Sequence, residues 1–369
     1  MQLQEIIRKM ELESFESLAK RYGISADDLI EKLINYYNRH MSVFFEIDKI
    51  RDNHTKQKHP LKTKRDWWNG VHKSYGWMKT EAIKLIYSYL DQNVESLDFD
   101  SIRKMASALN INEKKSDSSN IFLRHFMEKI PVVVLYDLEF NAEAFCGFIS
   151  ENIPVVRHFD FLHDMLRMLL ETSCFLAYEE KVVDGKTGIQ YREGFTDFSS
   201  ENFKFAVNQI NKLILVSTGH IKELSFNLPW SAEARRNLHI EYLISTFYRI
   251  ASNFVWIHEF AHMLYGDVMK NYWHEEMEFR CDRLAMKCLF NANKFDKSYV
   301  WVGISFLLTL LERLAQIDEH MKKLPKNLSN LISYRGAVTH DYIFGRLTEE
   351  EKKMCYYYWY LVELLIQAA

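Results

Sequence analysis

The chain has 369 residues, 48% of them hydrophobic and 14% aromatic, which suits one large or two ordinary domains with a sizeable core. Only 12 Gly and 5 Pro argue against an all-β or disordered chain, and a net charge of −3 gives the molecule as a whole no broad attraction to nucleic acid. Five widely spaced cysteines, with no pair at zinc-finger spacing, point to reduced thiols in an intracellular protein.

The first residues, Met1-Gln2-Leu3-Gln4-Glu5, lack signal-peptide character, and the longest uncharged run, Ser298 to Leu311, is too short to span a bilayer. The expectation is a soluble cytoplasmic protein without a membrane partner. Residues 1–45 read as helices, with Ser25-Ala26-Asp27-Asp28 as a capping box that opens a helix burying Leu29, Ile30 and Leu33. The turn at Gly23 suits a helix-turn-helix, but no basic recognition face follows it, which argues against DNA reading. Residues 49–66 are rich in Lys and Arg and lead into Trp67, Trp68 and Trp77. That pattern fits a nucleic-acid strand or an acidic partner, and fits better a solvated loop running into a helix anchored by core tryptophans.

Residues 79–111 read as helical, and the polar run 112–120 as a linker with a soft domain boundary. Beyond it, Pro131 to Tyr136 reads as a buried strand, Phe159 to Ala177 as a helix, and Lys181 to Gly194, containing Asp184-Gly185, as a hairpin. Phe203, Phe205 and Val207 alternate with polar residues, Leu213 to Val216 continues that β character, and Glu223 to Leu228 alternates again before Pro229. A long helix is expected over 232–265 with Gly266 as its C-cap, followed by apolar helices over 298–324 and 350–369. The aromatic run Tyr356 to Tyr360 suits core or interface packing.

The chemistry is concentrated in the 232–265 helix, which carries His258-Glu259-Phe260-Ala261-His262. Histidines four apart on a helix project from one face and can share a Zn²⁺. Glu259, one residue round from His258, is placed to act as a general base. Fifteen residues beyond His262, Glu278 stands at the border of an apolar stripe formed by Met277, Cys281, Leu284 and Cys288, with Asp282 one turn on. A catalytic zinc takes three protein ligands and leaves a fourth position open, so Glu278 is the third ligand candidate. Asp282 could accept the remaining N–H of a ligand histidine and fix its tautomer.

His258-Glu259-x-x-His262 followed by Glu278-x-x-Cys281-Asp282 resembles the gluzincin metallopeptidases, in particular the subgroup that includes the HtpX and CAAX-prenyl proteases. That subgroup often carries a later H-P-x-x-x-x-R element. His340 and Arg346 stand at that spacing here, with Asp341 where proline is usual and Cys281 where alanine is usual. More loosely, the chain resembles the Lit-type phage-exclusion peptidases. The resemblance covers roughly residues 200–350. It implies a zincin-like core, and with the elements and the soft boundary read above the expectation is an α+β, mostly helical fold whose small mixed sheet and active-site helix lie within 119–369. Residues 1–118 would form a helical accessory or regulatory region. It further implies a zinc-dependent endopeptidase in which His340 stabilises the oxyanion and Arg346 holds His340 or pairs with Asp282. The substrate would be a specific cytoplasmic protein, cut in limited fashion by a conditional toxin or anti-phage factor. Such enzymes bind the peptide as an added strand, and 223–228 is the strand expected to receive it. A regulatory binding module that keeps the peptidase fold, with the N-terminal region binding protein or nucleic acid, is the alternative, as is hydrolysis of a non-peptide amide.

Overall fold

The computed structural model describes residues 3–35, 64–90, 97–111, 118–136, 142–146, 152–183, 186–192, 197, 199–217, 238–292, 294–322, 327–356 and 360. The protein is mostly helical with a small mixed sheet. Helix α1 (Leu3–Tyr22) ends in a turn at Gly23, whose φ of +67° glycine adopts without a Cβ clash. The chain re-enters helix α2 over 26–35 through the expected capping box: Asp28 N donates to Ser25 Oγ at 3.0 Å, and Ser25 N to Asp28 Oδ2 at 3.4 Å. Helices α3 (Lys64–Leu90), α4 (Phe99–Ala108) and α5 (Ser119–Lys129) follow. Asp98 and Ser118 cap α4 and α5 by accepting from Ser101 N and Ile121 N.

Strands β1 (Val132–Leu135), β2 (Ala142–Cys146) and β3 (Pro154–Phe159) form one sheet in the order β1-β3-β2. β3 runs parallel to β1 and antiparallel to β2, with Val156 opposite both Val132 and Ala144. Helix α6 (Asp160–Ala177) leads into the hairpin β4 (Tyr178–Val183) and β5 (Lys186–Tyr191), whose register closes with Val183 opposite Lys186, as the Asp184-Gly185 signal predicts.

The structure corrects the next expectation. Residues 203–207 and 213–216 are not strands but lie in helix α7 (Glu201–Ser217). Phe203, Ala206 and Ile210 are buried at three- and four-residue spacing, and this longer period outweighs five residues of alternation. The expected strand 223–228, the basic run up to residue 63 and the polar run 112–117 lie outside the described residues.

Helix α8 (Leu238–Leu264) carries the two histidines through the middle of the molecule. A short 3-10 turn, Asp267–Met269, separates it from α9 (Glu275–Asn291), and α10 (Lys297–Lys322), α11 (Asn327–Phe344) and α12 (349–356) follow; the rest of the helix expected over 350–369 lies outside the described residues, Tyr360 apart. The stretch Lys297–Ile317 is long and apolar enough to cross a membrane, but 56% of its most apolar window is buried inside the protein, and α10 packs on α8 and α11 as a core helix does.

The apolar faces of α1–α4 and of the later elements meet in one continuous core, which runs from Phe15 and Ile86 through Phe126 and Val156 to Trp256 and Trp301. Polar contacts reinforce the junction. Glu11 of α1, buried, accepts from Val134 N of β1 at 3.0 Å and Ser14 Oγ accepts from Tyr136 N at 2.7 Å. Glu81 of α3 accepts from Arg249 of α8 at 2.6 Å and from Lys294. The boundary expected at 118/119 thus separates two sequence regions that bury their faces against each other.

Candidate metal centre

Because α8 is apolar almost all round, it is buried along most of its length, and polar side chains on its buried part need partners. Phe254, Val255, His258, Glu259 and His262 form one stripe of the helix, and that stripe is the floor of a cleft of about 770 Å³. Strand β2, through Ala142 to Phe145, borders the cleft on one side, and Met277 and Glu278 of α9 and Leu328, Leu331 and Arg335 of α11 border it elsewhere.

Three of the predicted residues converge in this floor. His258 Nε2 lies 3.1 Å from His262 Nε2 and 3.2 Å from Glu278 Oε2, and His262 Nε2 lies 3.4 Å from Glu278 Oε1. These groups could hold a metal ion. Asp282 occupies the position predicted for it, with Oδ1 2.8 Å from His258 Nδ1. Helix α9 brings the two carboxylates to one face because they are four residues apart, while its stripe of Met277, Cys281, Leu284 and Cys288 is buried, as expected.

The electrostatics of the centre follow from burial and pairing. Burial works against a charged His258, but Asp282 and Glu278 outweigh it and raise its pKa to about 10. His262 is shifted the same way, burial being overcome by Glu278 and Glu259. Glu278 is held far below the usual carboxylate range: its burial is outweighed by both histidines and Arg335. Glu259 behaves differently. Burial pushes it up to about 7, against the lowering influence of His258, His262 and the Ala144 backbone N–H of β2. A carboxyl group near neutrality beside the metal-ligand candidates is suited to moving protons.

Sequence reasoning missed three residues of the centre. Arg335 of α11 donates to both oxygens of Asp282, at 2.6 and 2.8 Å, and lies 3.3 Å from Glu278 Oε2. The fork is bidentate, and it fixes the carboxylate that fixes His258. Trp273 Nε1 donates to Glu278 Oε1 at 3.0 Å. Asp267 lies against the other side of His262, 3.4 Å from Nδ1. Nothing local distinguishes Arg335 from other arginines in a helix. Asp267 directly follows the predicted C-cap Gly266, so a carboxylate next to the motif helix was available as a signal.

His340 and Arg346 are not brought to the cleft. His340 stacks on Phe344, with ring centroids 4.6 Å apart, and meets Trp301 edge-on at 5.7 Å. Arg346 lies over the Tyr342 ring at 4.0 Å and donates to Tyr342 O. The pairing with Asp282 expected of Arg346 belongs to Arg335, because Leu328, Leu331 and Arg335 share the face of α11 that borders the cleft. Among the described residues, the strand that borders the cleft is β2; the strand expected at 223–228 lies outside them.

No family model, curated protein or solved structure matches this chain.

Proposed function

We propose that the chain is a zinc-dependent endopeptidase of gluzincin type, with His258, His262 and Glu278 as zinc ligands and Glu259 as general base. The observation that carries this reading is the spacing of the three donors. Tetrahedral coordination at about 2.0–2.1 Å puts ligand atoms about 3.3 Å apart. The donor separations here are 3.1, 3.2 and 3.4 Å. Two imidazole nitrogens and one carboxylate are a common catalytic zinc set, and three protein donors leave a position for substrate.

A zinc ion held there would supply Lewis acidity, lowering the pKa of water towards neutrality and polarising a carbonyl. The remaining chemistry belongs to the chain. Asp282 accepts the Nδ1–H of His258 and leaves Nε2 turned to Glu278, and Arg335 holds Asp282 in place. Glu259, with a pKa near 7, accepts a proton from the attacking water and delivers it to the leaving amine. An extended peptide in the cleft would run beside β2, past apolar walls that include Leu328 and Leu331. By resemblance to Lit-type peptidases, the substrate is one specific protein of the cytoplasm, cut under a particular condition such as phage infection.

Two measurements test this together. Purified protein should hold about one zinc, lost in His262→Ala, and cells expressing wild type should show new protein termini that are missing with Glu259→Gln. Equal zinc in wild type and His262→Ala would refute the ligand set. Identical termini with Glu259→Gln would refute the peptidase.

A further inference from the structure

His262 has a carboxylate of its own. Its Nε2 faces His258 and Glu278, while its Nδ1 lies 3.4 Å from Asp267 Oδ2 and 3.4 Å from Cys281 Sγ. The Asp267 side chain is only 4% exposed and is tied down from two sides. Lys270 Nζ reaches Oδ1 at 3.0 Å, Arg280 Nε reaches Oδ2 at 3.2 Å, and a second guanidinium nitrogen contacts Oδ1. Arg280 is itself seated over the Tyr265 ring at 4.8 Å.

The turn that carries Asp267 is clamped as well. It opens with Gly266 at φ +67°, a conformation that side chains of L-residues rarely adopt. A Cβ there would stand 2.4 Å from Asp98 Oδ2 and 2.7 Å from Ser101 Oγ, so the first turn of α4 is seated directly on this glycine. Asp98 N also donates to Leu264 O, at the end of α8, at 3.0 Å. A helix from the N-terminal 118 residues therefore braces the turn next to His262.

We propose that Asp267 is the positioning residue of His262, accepting its Nδ1–H and so turning Nε2 to the metal, with α4 holding the Asp267 turn in place. The proposal rests on the zinc-centre reading above. It makes the two histidines alike: Asp282 backs His258 and Asp267 backs His262. An orienting partner of this kind fixes the tautomer and ring angle, and its loss costs typically about 10–100-fold in metal affinity. The other assignment of the same atoms is a second metal site, since His262, Asp267 and Cys281 also cluster closely enough to hold an ion. The two cations already on Asp267 weigh against it, because an ion would have to displace them.

The test uses the full-length protein, stripped of metal and titrated with Zn²⁺ against a chromophoric chelator, and Co²⁺ absorption as a report of coordination geometry. The variants are Asp267→Asn, Arg280→Met, Cys281→Ala and Asp98→Ala. Wild type should bind one equivalent. Asp267→Asn should bind about 10–100-fold more weakly with an altered Co²⁺ spectrum. Arg280→Met removes the same ion pair but leaves the carboxylate on His262, so it should lose stability while keeping zinc affinity within about threefold, as should Cys281→Ala. Asp98→Ala, which removes the cap of α4 and the carboxylate seated on Gly266 without touching the centre, should weaken zinc several-fold and serves if Asp267→Asn does not fold. Zinc affinity and Co²⁺ spectrum of Asp267→Asn equal to wild type would overturn the assignment. So would a loss carried by Cys281→Ala in its place, or two equivalents in wild type with one lost in Asp267→Asn. If wild type and His262→Ala bind zinc alike, the zinc centre itself fails, and the proposal with it.

Discussion

Arg335 is the cation on which the buried charges of the centre depend, and removing it is a quantitative test of how the centre is held. The guanidinium is 13% exposed and serves Asp282 in bidentate fashion and Glu278 at 3.3 Å. Arg335→Ala leaves two buried carboxylates without their shared partner, and breaking a buried pair in this way costs about 3–5 kcal/mol. His258 stays protonated in the metal-free protein, with its pKa raised to about 10, and continues to offset Asp282, so the lower end, about 3 kcal/mol, is expected. At about 2.1 cal/mol/K per residue, 369 residues give an unfolding entropy of about 0.8 kcal/mol/K. The loss then corresponds to a fall in Tm of about 4 °C in the metal-free protein. Zinc affinity should fall by about 10–100-fold, because Asp282 no longer holds His258 in register. Arg335→Lys keeps the charge but cannot make the fork, so it should recover part of the stability and less of the affinity. Thermal unfolding of chelator-treated protein, with competition titration of zinc, reads both quantities. An Arg335→Ala protein that melts within about 1 °C of wild type and binds zinc equally well would show that the Arg335–Asp282–His258 chain holds nothing.

Further outcomes can be checked. If Glu259 is the base, as proposed, Glu259→Gln should lower kcat by at least about 10²-fold with zinc content unchanged, since a base moves protons and binds no metal; comparable turnover by the variant removes Glu259 from the mechanism. His340→Ala should keep kcat/KM within about twofold, because the ring lies against Trp301 and Phe344; a large loss would return it to the site. His163, buried against His158 at 3.3 Å, has its pKa lowered by burial from 6.5 to about 4. The unfolded chain then binds the extra proton first as pH falls, so stability present above pH 6.5 is lost progressively down to about pH 4, by about 3 kcal/mol. Denaturant titrations of His163→Phe should show a flatter pH dependence over that range, and an unchanged slope would count against the buried neutral imidazole. Gly266→Ala should destabilise the protein by more than the strain of about 1–2 kcal/mol for a left-handed residue, because the new methyl meets Asp98 and Ser101; a melting curve like wild type would mean that α4 does not press on the turn.

The sequence by itself determined the elements whose signals are local. The His258–His262 pair lies on one helix face because four residues make about one turn. Glu278 and Asp282 share a face for the same reason, and Ser25 with Asp28 closes a cap within a single turn. The β1 run and the 184–185 hairpin were legible from β-branched composition and turn chemistry. Residues 203–216 were not legible in this way, because a short alternation is compatible with either period, and burial of Phe203, Ala206 and Ile210 in a helix is decided by what packs on α7. Only the tertiary structure decided which groups surround the centre. Arg335 reaches Asp282 across 53 residues and Asp98 braces Gly266 across more than 160, separations at which sequence spacing carries no geometric information. His340 and Arg346 show the converse: they stand at a familiar spacing, yet His340 packs on Trp301 and Phe344 and Arg346 on the Tyr342 ring, and neither lines the cleft that Arg335 enters.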